Sequence, residues 1–101
     1  MERGKGRGPT MKLKRGDRFG LPYHTQLKIY ATCLNYGEES DAEREKIEAL
    51  CDEIGGIHRQ ALFQAVTTEQ SMTKVSLDHF VDESWLCRLC KRFYQAYAQR
   101  G

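Results

Sequence analysis

The sequence predicts an all-α fold, a small helical bundle ending in a helix-turn-helix, and three observations carry that expectation. Apolar residues recur at three- and four-residue spacing from Pro22 to about Ala98. Ser40, Ser71 and Asp82, residues suited to cap a helix, precede three of those stretches, and no segment sustains the alternation of a strand. In a chain of 101 residues, 40% apolar and 30% charged with only 2 prolines, this pattern fits one folded domain rather than a disordered or fibrous chain.

Taken in order, residues 1–20 hold five glycines, one proline and seven basic side chains, too little apolar surface for a packed core, so a flexible basic arm is expected there. Residues 21–101 form the expected single helical domain. Pro22 suits a first helical turn, after which Leu27, Tyr30, Ala31 and Leu34 recur until Asn35-Tyr36-Gly37 breaks the pattern. Ser40 followed by Glu43 reads as a capping box, ahead of a stripe of Ile47, Leu50, Cys51 and Ile54. Gly55-Gly56 interrupts or bends the chain before Ile57, Ala61, Leu62, Ala65 and Val66, which again keep helical spacing. Thr67 to Gln70 is a polar link. Ser71 opens a short helix with Val75, Ser76 and Leu77, a tight turn falls at Phe80-Val81, and Asp82 caps a longer helix over about 83–98.

Charge is uneven behind a formal net of +2: residues 1–18 carry +5, residues 37–53 carry −6, and residues 85–101 carry +4 from Arg88, Lys91, Arg92 and Arg100 with no acid. Basic ends suit a polyanionic partner, while the Glu-Arg-Glu-Lys pattern of the middle reads as a solvated helix face. No stretch approaches the roughly 20 apolar residues of a membrane span, and the N-terminus lacks the apolar core of a signal peptide, so no membrane contact and a cytoplasmic location are expected.

Enzymatic activity is not expected. His24, His58 and His79 fall on separate elements, and no nucleophile or paired-carboxylate arrangement can be drawn from the sequence. Cys87-Arg88-Leu89-Cys90 has the spacing of half a zinc site but no second close pair, so Cys33, Cys51, Cys87 and Cys90 are expected to be reduced thiols, with no cofactor.

The function is expected in the last third of the chain. Val75 and Leu77 offer apolar contacts, Ser76 is small enough for close helix approach, Val81 plugs the turn, and Leu86, Leu89 and Phe93 give the second helix an inward stripe, the pattern of a DNA-binding helix-turn-helix over about 71–98. Thr73 to Tyr94 resembles the C-terminal helix-turn-helix of sigma-factor region 4-like regulators, of the RinA and ArpU types found in phages and mobile elements of Gram-positive bacteria. That resemblance implies transcriptional regulation through double-stranded DNA, with Val81-Asp82-Glu83-Ser84 matching the turn and helix start. Three features depart from the pattern. Phe80 fills the slot usually held by glycine, which predicts an ordinary backbone there or a slightly different turn. Trp85 and Cys87 replace smaller or hydroxyl-bearing residues, and Asp82 and Glu83 bring negative charge to the helix start.

If Leu86, Leu89 and Phe93 face inward, Ser84, Cys87, Arg88 and Lys91 face outward toward a groove, with Arg88 the candidate for gripping a guanine. Arg92, Lys74 and Ser71 are placed for phosphates, and the arm for further backbone or minor-groove contacts. A homodimer is compatible with this reading, because one such module buries little DNA surface. The alternative is a protein-interaction module that inhibits a host protein such as a defence nuclease or RNA polymerase, favoured by the acidic segment and Trp85.

Overall fold

The computed structural model describes residues 20–100; the arm expected over 1–20 lies, except for Gly20, outside the described residues. The described chain is all-α, with five α-helices in the order α1 (Tyr23–Leu34), α2 (Asp41–Gly55), α3 (Arg59–Thr67), α4 (Met72–His79) and α5 (Glu83–Arg100). Short 3-10 turns at Tyr36–Glu38 and Gly56–His58 link α1 to α2 and α2 to α3. No described helix is long and apolar enough to cross a membrane.

α5 packs against all four other helices, and its apolar stripe is the spine of the core. Leu86, Leu89, Cys90, Phe93, Tyr94 and Tyr97 are buried along its length. Opposite them lie Ile47, Leu50 and Cys51 of α2, Ala61, Leu62, Ala65 and Val66 of α3, and Val75 of α4. Each of the larger aliphatic and aromatic side chains contributes about 1.5–3 kcal/mol by leaving water.

The expected caps form. Ser40 Oγ accepts from Glu43 N at 3.2 Å. The Glu43 carboxylate is engaged elsewhere, accepting from Tyr97 OH and so tying the first turn of α2 to the end of α5. Burial, reinforced by that hydrogen bond, pushes the Tyr97 hydroxyl well above the ordinary tyrosine range. Gly56 ends α2 at φ 57°, ψ −123°, a conformation open to glycine, which is why the chain can leave α2 and re-enter a helix within three residues.

Four expected core positions are exposed instead. On α1 the inward face is Gln26, Ile29 and Cys33, while Leu27 and Ala31 point outward. Gln26 occupies that face because its Nε2 donates to Leu21 O at 2.8 Å, so its burial satisfies a donor inside the fold. Ile57 is 90% exposed because it falls in the 3-10 turn, outside the helical register of α3. Leu77 is 69% exposed because α4 turns Val75 and Ser76 to the core and Leu77 lies on the far side.

Candidate nucleic-acid interface

α4 begins at Ser71, whose Oγ accepts from Lys74 N at 3.0 Å. It ends in a Schellman arrangement: Val81 N donates to Ser76 O at 2.9 Å and Phe80 N to Leu77 O at 3.4 Å. Such an ending needs one residue in the left-handed region, and that residue is Phe80, at φ 55°, ψ 43°. Neither expected alternative, an ordinary backbone at Phe80 or a different turn, holds: the turn keeps the left-handed geometry, although a side chain other than glycine occupies it. Val81 and Val75 are both buried, so the turn is anchored by the apolar pair that usually accompanies this motif.

Asp82 restarts the chain as a helix, its carboxylate accepting from Trp85 N at 3.1 Å and its carbonyl from Leu86 N at 2.9 Å. Thr73 donates through Oγ1 to Glu83 at 3.0 Å, pinning the start of α4 to the start of α5. Glu83 thus has a structural partner in addition to its favourable place at a helix N-terminus.

With Leu86, Leu89 and Phe93 at 0–1% exposure, the outward face of α5 is fixed. Ser84, Arg88, Lys91 and Arg92 are exposed and Cys87 is half-buried, so the residues expected on one outward face share it. No described carboxylate lies within ion-pair distance of Arg88, Lys91 or Arg92, although Arg44, Arg59, Lys74 and Arg100 each have one. Ser84 to Lys91 spans about 10 Å along the helix axis, two turns. A side chain added at Gly20 would meet Gln95 Nε2 at 3.5 Å, so the chain enters the described domain one turn beyond Lys91 on the same side of α5.

The two site residues expected on α4 are more committed. Ser71 is exposed but spends its oxygen on the cap, and Lys74 Nζ sits 3.0 Å from Asp78 Oδ2. That ammonium hydrogen bond holds the Asp78 carboxyl below its ordinary pKa. Leu77, expected to offer an apolar contact within the turn, is exposed, and so is the Phe80 ring, 93%, whose direction the sequence left open. No spacing rule gives that signal, because it depends on which way an eight-residue helix is rolled.

Elsewhere, a cleft of about 540 Å³ opens between α2, α3 and the end of α4, but its polar walls bond to one another. Tyr36 OH donates to Glu48, His79 Nε2 to Gln64 Oε1 at 2.7 Å, and Arg59 faces Asp52 at 3.5 Å. Among the described residues no group of three or more His, Cys, Asp or Glu side chains could hold a metal ion. Cys33, Cys51 and Cys90 are buried, and burial pushes the Cys51 thiol up to about 12, far from the thiolate that metal binding requires.

A scan against models of known families, a search of curated proteins and a search of solved structures each return no match.

Proposed function

We propose that this chain is a DNA-binding transcriptional regulator of a phage or mobile element, reading double-stranded DNA with the outward face of α5. The observation that carries the reading is the basic stripe on that helix, without an ion-pair partner among the described residues, set behind a tight turn from α4. Arg88 stands near the centre of the stripe, where a guanidinium can meet O6 and N7 of a guanine; Ser84 and Cys87 are its neighbours on the groove side. Lys91 and Arg92 reach phosphates, whereas Lys74, paired with Asp78, and Ser71, capping α4, are less free to do so. Gly20 lies beside Gln95, on the same side of α5 as the stripe, and the basic residues of 1–18 that precede it in the sequence would add phosphate contacts. The resemblance of Thr73 to Tyr94 to sigma-factor region 4-like regulators agrees with this reading.

The test is binding of the full chain to a duplex selected from a random library and to a scrambled duplex, each at two salt concentrations. Wild-type affinity should fall steeply with salt on both. Arg88→Ala should cost on the order of 1–3 kcal/mol on the selected duplex and much less on the scrambled one, whereas Lys91→Ala and Arg92→Ala should weaken both alike. Absence of binding to any duplex at low salt overturns the reading. It would favour the second one, a module that docks on a host protein such as a defence nuclease or RNA polymerase, for which the exposed acids Asp41, Glu45, Glu48, Asp52 and Glu53 of α2 offer a surface.

A further inference from the structure

We infer that the exposed face of α4 is a self-docking surface through which two copies of this chain pair, antiparallel, about a two-fold axis near the middle of that helix. The starting point is Phe80. It holds a left-handed backbone that glycine would adopt without strain, and its ring is 93% exposed, so packing against the described residues returns almost nothing for that conformation. Leu77, one turn back, is 69% exposed. Two large apolar side chains at the same end of one short helix form an anchor that lacks a pocket within the described chain.

The flanking charges select the occupant. Asp78, Asp82 and Glu83 surround this end of α4, which disfavours a polyanion on the apolar patch itself. Along α4 a cation and an anion stand one turn apart, Lys74 and Asp78, on either side of Leu77 in sequence and both exposed. A two-fold axis through the middle of the helix exchanges those positions. Lys74 of one copy then faces the partner's Asp78 and Asp78 faces the partner's Lys74, which is the self-complementarity an isologous contact requires. The same rotation carries Phe80 over the first turn of the opposite α4, toward the partner's Met72, which is only partly buried in the single chain. Antiparallel α4 helices also set their dipoles against each other favourably. An eight-residue helix is about 12 Å long, so the contact is small and its affinity on the order of micromolar or weaker. The inference does not rest on the DNA reading, and its test contains no DNA.

The experiment is sedimentation velocity on the full chain from about 1 to 500 µM, a range set by that weak affinity. Wild type should pass reversibly from monomer to dimer. Phe80→Gly should raise the dissociation constant at least tenfold while raising the thermal midpoint, two effects that a merely structural role for the ring could not produce together. Lys74→Asp should weaken pairing, and Lys74→Asp with Asp78→Lys should bring it back to within about threefold of wild type, since the exchanged charges again face opposites across the axis. A wild-type chain that stays monomeric throughout, a dimer indifferent to Phe80→Gly, or a double exchange that fails to restore pairing would each overturn the inference.

Discussion

Among the described residues two helix ends pass through positive φ, and they do so with opposite residues. α2 stops at Gly56, φ 57°, and α4 stops at Phe80, φ 55°. At Gly56 the backbone lies at ψ −123°, in the mirror image of extended structure, and a Cβ would meet nothing within 4 Å, so the conformation alone demands glycine. At Phe80 the backbone lies at ψ 43°, the left-handed helical well, which a bulky residue can enter at a cost of about 1–2 kcal/mol. The first site uses the residue that folds most easily. The second departs from it: Phe80 costs stability yet packs against almost nothing among the described residues, and the self-docking proposed above is what would return that cost.

The largest effect should come from breaking the easier of the two turns. Gly56→Ala should destabilise by on the order of 2 kcal/mol, a fall in thermal midpoint of about 8–16 °C for a domain of this size, measured by circular dichroism. A loss under half a kcal/mol would mean that the link between α2 and α3 can relax to negative φ.

At the second turn the change should be smaller and of opposite sign. Phe80→Gly should stabilise the monomer by about 1 kcal/mol in denaturant titration at low micromolar concentration. Phe80→Ala keeps the strain and removes only exposed surface, so it should stay within about 0.5 kcal/mol of wild type. Should Phe80→Ala destabilise as much as a core truncation, the ring would be packed in solution and the contrast with Gly56 would fail.

These turns mark the boundary of what the sequence made legible. Caps were readable because a hydroxyl or carboxylate three residues ahead of an amide has few other uses, as at Ser40, Ser71 and Asp82. The buried side of α5 was readable because Leu86, Leu89 and Phe93 are the only large aliphatic or phenyl side chains among charged and polar neighbours, and the outward position of Arg88, Lys91 and Arg92 followed from it. α1 is ambiguous in the sequence because Leu27, Ile29, Tyr30, Ala31, Cys33 and Leu34 surround the helix with apolar groups, so several stripes fit, and the one chosen by tertiary packing includes a glutamine whose Nε2 donates to the Leu21 carbonyl. The rolling of α4 that exposes Leu77 was invisible for the same reason, and the left-handed Phe80 because local sequence weighs conformational cost but not what an outside surface returns.

The smallest effect concerns the ion pair beside that turn. The Lys74 ammonium holds Asp78 below its ordinary pKa, so ionised Asp78 favours the fold above the ordinary carboxylate range, and this contribution is lost as pH falls through the lowered value. Asp78→Asn should therefore lower stability slightly at pH 7, less in high salt, and change nothing at pH 2. An equal effect at both pH values would assign the loss to something other than charge.

α5 runs for 18 residues, about 27 Å, and the rod that carries Arg88 on one side is bolted on the other to every remaining helix. The backbone beneath the basic stripe therefore cannot loosen unless the domain opens, and its amides should exchange with solvent as slowly as those under Phe93. Whatever meets that stripe finds its main chain already ordered, so only the ends of arginine and lysine side chains lose freedom on contact, and discrimination must come from how well a rigid row of charges matches the spacing it is offered.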